Sequence, residues 1–152
     1  ALPGFMMAIN PSAEIAPWEI AGLCLWLIAY SLEMTADMQK LKFIKNPKNR
    51  NGVCNIGLWR YSRHPNYFAE WLVWTGLVIA CVPSWLALRS AETPLIWIIL
   101  GVGATGASAM LYTTLVYLTG AIPAEYFSVQ KRPGYKDYQR QTNRFFPWFP
   151  RG

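Results

Sequence analysis

Charge is what this 152-residue chain has least of. Fourteen lysines and arginines and eight aspartates and glutamates make up 14% of it, against about 25% in a soluble domain. With so few charges and so much apolar character, intrinsic disorder is excluded. Cysteine is scarce as well: Cys24, Cys54 and Cys81 share no CxxC spacing and form an odd set. A disulfide framework is thereby excluded, and the spacing of a zinc site is missing. His64 is the one histidine, and no metal is assigned. Internal repeats and low-complexity segments are lacking. The chain also has no Ser-His-Asp arrangement, no P-loop and no GxGxxG, which excludes a soluble Rossmann-type cofactor site.

What the chain does have is apolar surface. Hydrophobic residues make up 53% of it, with eight tryptophans, eight tyrosines and seven phenylalanines. Its length suits one domain, and its composition places that domain, residues 1–152, in a membrane. A spanning helix needs about 20 mostly apolar residues. No charge occurs from Thr93 through Ala124, and none from Trp71 through Leu88, although Pro83 falls near that segment's end. Ile15 to Met34 is a weaker span, interrupted by Glu19 and Glu33. The opening residues, Ala1 to Asn10, read as the end of an earlier apolar segment rather than a signal peptide, having no basic n-region. The expected fold is all-α: a polytopic transmembrane helical bundle with about three spans, a basic cytoplasmic loop and a basic tail.

The basic residues sort by location. Lys40, Lys42, Lys45, Lys48, Arg50, Arg60 and Arg63 share one loop, while Lys131, Arg132, Lys136, Arg140, Arg144 and Arg151 share the C-terminal tail. Only Arg89 lies elsewhere, between the second and third spans. A hairpin of those spans brings loop and tail out on one side, which the positive-inside rule makes cytoplasmic or its organellar equivalent. Trp18, Trp85 and Trp97 fall at the opposite span ends and read as interfacial anchors. The small-residue run GVGATGASA, residues 101–109, predicts close helix packing.

Polar residues converge on the basic side. The loop ends in GLWRYSRHPNYFAEW, residues 57–71. Pro65 suits the first turn of a helix and biases His64 towards an extended conformation. Arg63 and His64 then sit beside unpaired N–H groups, where anions bind. Asn66 and Glu70 are four apart and share a helical face, as do Glu33 and Asp37. Glu125 follows the third span. Such carboxylates need cations between them, and Lys40, Lys42, Lys45 and Arg63 are near enough in sequence to serve. The pattern predicts a polar cavity open to the basic side. Blander readings stand beside it: Glu33 and Asp37 as a lysine-capped span end, the loop as a topology signal on anionic lipid, His64 packed among headgroups. Asn66 resists such a reading, because a buried carboxamide must find partners.

YSRHPNYFAE, with EMTAD upstream and KRPGYKDYQRQTNRFFPW downstream, resembles the steroid 5-alpha-reductase superfamily over roughly residues 15–150. The likeness is to its C-terminal half, and it runs towards the bacterial-type branch described as domains of unknown function or steroid reductase-like proteins. The RHPNY core is also similar to sterol C14 and C7 reductases. The resemblance implies an NADPH pocket on the cytoplasmic face and hydride transfer to a carbon–carbon double bond of a lipophilic, often enone, substrate. By the same resemblance, Asn66 matches the asparagine that contacts the nicotinamide carboxamide, and Glu70 the acid one turn later. Asp37 matches an aspartate of the cofactor pocket, Glu33 stands where the steroid reductases have asparagine, and Lys45 falls near a phosphate-binding arginine. Trp59, Tyr61, Arg63 and His64 would line the pocket by their place in the motif, with Glu125 near it.

The pattern has departures. Members of that superfamily run to about twice this length, and their N-terminal spans carry the acid and tyrosine that polarise the substrate carbonyl; no counterpart is expected in these residues, so catalytic residues are left unassigned. The arginine and histidine expected after the last span are replaced by GAIPAEYF. Two alternatives therefore remain. One is an S-adenosylmethionine-dependent methyltransferase of the isoprenylcysteine carboxyl methyltransferase type, which shares an RHPxY motif. The other is a non-catalytic membrane subunit on the reductase scaffold, packed against other membrane proteins. Membrane lipids and a lipophilic small molecule are the expected partners; nucleic acid is not.

Overall fold

The computed structural model describes residues 2–10 and 14–151. Its elements are α1 (Leu2–Ala8), α2 (Pro17–Lys45), α3 (Pro65–Ala80), α4 (Val82–Ala87), α5 (Pro94–Thr113), α6 (Ala121–Lys131) and α7 (Tyr135–Gln141). No strand occurs among the described residues. Three helical stretches are long and apolar enough to cross a membrane: Pro17–Lys45, Pro65–Ser90 and Pro94–Lys131. The all-α, three-span expectation is met, and the protein is an integral membrane protein in class.

Each stretch begins on a proline, whose missing N–H costs nothing in a first turn. In α2 the Glu19 carboxylate accepts a hydrogen bond from the Ala16 N–H at 2.7 Å. Glu19 is thus an N-terminal cap, not the interruption its charge implies in sequence. The helix also outruns the expected Met34 end. Nothing breaks it before Asn46-Pro47, where the residue preceding proline turns extended. Its 29 residues reach roughly 44 Å at 1.5 Å per residue, beyond a hydrocarbon core of about 30 Å. The helix is thus longer than that core.

The second stretch runs from α3 through α4, with Pro83 seated in the first turn of α4. The third is interrupted within its charge-free run. A π-helical turn spans Thr114–Leu118, closed by the Thr119 N–H on the Thr114 carbonyl at 3.1 Å. Gly120 follows, and α6 begins at Ala121.

The chain forms two compact units: Ala1–Ala29 with Trp71–Tyr112, and Tyr30–Glu70 with Thr113–Gly152. In the first unit, backbones meet at Gly22 and Gly76. A Cβ on Gly22 would lie 2.4 Å from the Ala80 nitrogen, and one on Gly76 would lie 2.8 Å from the Gly22 oxygen. Bare backbone is required here and, within the 101–109 run, at Gly101, where a Cβ would lie 2.7 Å from the Trp85 ring. Within that run Gly101 accommodates the Trp85 ring, whereas a Cβ on Gly106 would meet nothing within 4 Å. Trp85 and Trp97 also pack on each other. Their rings stack with centroids 4.3 Å apart, and each indole N–H donates to the other's backbone carbonyl at 2.9 Å. They clasp α4 to α5, while Trp18 remains exposed.

Candidate functional site

Every sequence-designated residue from Glu33 to Glu125 belongs to the second unit. They do not form one cluster. Arg63, His64 and Glu125 make a buried hub. Glu125 is 4% exposed and Arg63 and His64 are each 7% exposed. The Arg63 Nε and Nη2 groups donate to the two Glu125 oxygens at 2.8 and 3.1 Å, and Nη1 donates to the Gln139 and Thr142 carbonyls at 2.7 Å each. A guanidinium has five N–H donors, so four are spent. His64 Nε2 lies 3.1 Å from Glu125 Oε1. Gln139 Nε2 donates to Oε2 at 2.9 Å, and Arg144 approaches it at 3.5 Å.

This hub ties the tail to the RHPNY segment. The Arg63 N–H donates to the Asn143 carbonyl at 2.9 Å, and Ser62 Oγ donates to the Phe145 carbonyl at 2.8 Å while accepting from the His64 N–H at 3.1 Å. Arg63 and His64 are therefore committed to protein partners, where the sequence placed them beside free N–H groups open to an anion. Pro65 does open α3 as expected.

Trp59 and Tyr61 are pinned to the same core from the other side. Trp59 is buried, its indole N–H donates to the Ala36 carbonyl at 2.9 Å, and the Lys40 ammonium sits 4.2 Å over its ring. The Tyr138 hydroxyl donates to the Trp59 carbonyl, and the Tyr61 carbonyl accepts from the Trp148 N–H at 2.9 Å. Burial raises the Tyr138 phenol above its ordinary value and lifts Tyr135 to about 12; both stay protonated donors at any physiological pH. Tyr138→Phe leaves the buried Trp59 carbonyl without this donor. We expect a stability loss of about 1–3 kcal/mol, read by unfolding in detergent. Gly57 supports the same turn: its φ of +52° is a left-handed conformation, and a Cβ there would strike the Gln39 carboxamide at 2.4 Å. Gln39 Oε1 in turn accepts the Leu58 N–H at 2.9 Å.

The remaining designated residues fall into two groups. Glu33, Asp37 and Glu70 lie close enough to act on one another electrostatically. Among the described residues, no ion pair reaches any of the three, and no His, Cys, Asp or Glu cluster is arranged to hold a metal ion. The lysines expected between them are engaged elsewhere: Lys40 lies on Trp59, and Lys45 in a separate hollow. Asn66 begins the helix that carries Glu70, and its Oδ1 is buried with no hydrogen-bond partner.

Lys45 lines a hollow of about 370 Å³ with Lys40, Arg50, Arg132, Asn49 and Asn51, and no acid borders it. Local backbone builds its rim. Asn46 Oδ1 caps the Pro47–Asn49 turn by accepting the Lys48 N–H at 3.0 Å, and Asn49 Nδ2 donates to the Phe43 carbonyl at 3.0 Å. Asn51 takes a φ of +63°, a conformation asparagine tolerates. Arg132 was not singled out by sequence. It comes from the tail, 82 residues beyond Arg50, and its one signal was membership of the second basic cluster.

The protein is thus a polytopic helical membrane protein whose basic loop and tail are fastened together by a buried ionic hub. Compared with known proteins, the chain matches the family described as "Protein of unknown function (DUF1295)" over residues 1–142, and it belongs to that family. It is also similar to an uncharacterized protein of Schizosaccharomyces pombe, 28% identical over an alignment that covers 93% of this chain. The chain spans 42% of that relative's length. No solved structure matches it.

Proposed function

We propose that the protein is the nucleotide-binding part of a membrane reductase of the steroid 5-alpha-reductase lineage, binding NADPH from the cytoplasmic side. The observation that carries this reading is the acid-free hollow lined by Lys40, Lys45, Arg50 and Arg132. Four cations with asparagine donors suit the phosphates of a dinucleotide, by charge and by hydrogen bonding. Its volume of about 370 Å³ lies at the lower end of the roughly 300–1,000 Å³ of small-molecule sites, enough for part of such a ligand. A second observation supports it: the unpartnered Asn66 Oδ1 fits the N–H of a carboxamide, as the RHPNY resemblance implies. The carboxylates Glu33, Asp37 and Glu70 are suited to accept from ribose hydroxyls.

Bound NADPH would supply hydride to a carbon–carbon double bond of a lipophilic substrate. The protein's own residues bind and orient: the hollow holds phosphate, Asn66 fixes the carboxamide, and the Arg63–Glu125 hub keeps loop and tail in register around them. Residues that donate a proton to the substrate are not assigned in this chain. The uncompensated carboxylates also suit a cationic ligand, which keeps S-adenosylmethionine as the second reading; a non-catalytic subunit on the same scaffold is the third.

Calorimetric titration of the detergent-purified protein separates the three. We expect NADPH to bind more tightly than NADH, with Arg132→Ala reducing that preference. Asn66→Ala and Asp37→Ala should each weaken NADPH by about 1–3 kcal/mol, as for a lost buried hydrogen bond. Stronger binding of S-adenosylmethionine moves the protein to the methyltransferases, and no nucleotide binding favours the subunit.

A further inference from the structure

The first unit contains a cavity of about 310 Å³, lined by Val78, Val82, Trp85, Trp97, Val102 and Thr105 among others. Its polar groups are already engaged. The two indole N–H groups donate to the opposite tryptophan's carbonyl, the Thr105 hydroxyl donates to the Gly101 carbonyl at 2.9 Å, and the Cys81 thiol donates to the Val78 carbonyl at 3.1 Å. A ligand there finds ring faces and methyl groups and no free hydrogen-bond donor. Polar ligands would lose their hydration without compensation, so the occupant's inserted part must be hydrocarbon.

One cation stands beside this apolar wall. The Arg89 guanidinium lies over the Trp97 ring, 5.7 Å from its centroid. Among the described residues it takes part in no ion pair, and it is exposed. It sits in the last turn of the second apolar stretch, Pro65–Ser90, and the end of a span is where hydrocarbon gives way to headgroups. The Trp85–Trp97 clasp fixes this arrangement, and Gly101 permits it, since a Cβ there would lie 2.7 Å from the Trp85 ring.

A single cation beside an apolar cavity matches an amphiphile with an anionic head and a hydrocarbon tail. We propose that this cavity is a phospholipid site, with one acyl chain along the Trp85–Trp97 wall and the phosphate diester on Arg89. The site involves none of the residues of the proposed nucleotide pocket, so it stands or falls separately from that reading.

Native mass spectrometry of the detergent-purified protein tests it, with added phosphatidylglycerol and with diacylglycerol of the same chains. One phosphatidylglycerol should remain bound. Val102→Phe places a ring in the cavity from a position already 65% exposed, and should lower occupancy by both lipids about tenfold. Arg89→Gln should weaken phosphatidylglycerol about fivefold and leave diacylglycerol unchanged. A melting temperature unaltered in Arg89→Gln would show that the fold is intact, and Ile98→Trp provides a second way to fill the cavity. No retained lipid, retention undiminished in both filling variants, or an equal effect of Arg89→Gln on the two lipids would overturn the proposal.

Discussion

Glu125→Ala should be among the most destabilising single substitutions in this protein. The carboxylate accepts from Arg63, His64 and Gln139 inside a site that is nearly closed to solvent. Removing it leaves the Arg63 guanidinium buried with its strongest acceptor gone, a loss of about 3–5 kcal/mol for a broken buried pair. Because Arg63 also holds the Gln139 and Thr142 carbonyls, the tail from Thr142 onward should loosen in the same step. Unfolding in mixed detergent, followed by tryptophan fluorescence, measures the first effect, and hydrogen exchange of residues 142–150 the second. The paired change Arg63→Met with Glu125→Leu should recover much of the loss, since replacing both partners strands no charge. If Glu125→Ala behaves like an ordinary surface change, within about 0.5 kcal/mol, the hub does not hold the tail.

The second large effect is expected at a residue with no side chain. Gly76→Leu introduces bulk where even a Cβ would meet the Gly22 oxygen and the Trp26 nitrogen at 2.8 and 2.9 Å. These neighbours are backbone atoms of a helix and cannot swing aside. Overpacking of this kind costs about 1–3 kcal/mol, and more where the backbone must move. Gly106→Leu is the control: that position has nothing within 4 Å, and the same added side chain should be tolerated. Unfolding midpoints that fall equally in both variants would show that the crossing of α2 and α3 does not depend on bare backbone.

The candidate site was unevenly legible in the sequence. The RHPNY motif, the lone acid-free loop and the paired spacings Glu33–Asp37 and Asn66–Glu70 all marked the right stretch of chain. What they could not show was which charges neutralise which. Arg63 and Glu125 are 62 residues apart, and Arg63 meets the Thr142 carbonyl across 79. No periodicity links such positions. A hint was available in the charge distribution: Glu125 is the only acid between Thr93 and Lys131, and a lone acid beyond an apolar span needs a cation from elsewhere. Spacing likewise could not show that Trp85 and Trp97, twelve residues apart, bring their rings face to face.

Composition and hydropathy by themselves determined that this chain is helical, membrane-embedded and three times long enough to span. Those properties follow from local facts: runs of apolar residues, prolines at helix starts, and no charge over stretches that must be dehydrated. Tertiary structure decided the rest. It assigned Glu19 to a helix cap, required bare backbone at Gly22 and Gly76 as well as at Gly101, and divided the ten designated residues between a closed ionic hub with Trp59 and Tyr61 pinned beside it, a carboxylate group without ion pairs, the unpartnered Asn66 and a basic hollow. The physical reason is that burial and charge pairing depend on partners brought together by folding, whereas the length and polarity of a span are carried by the segment itself.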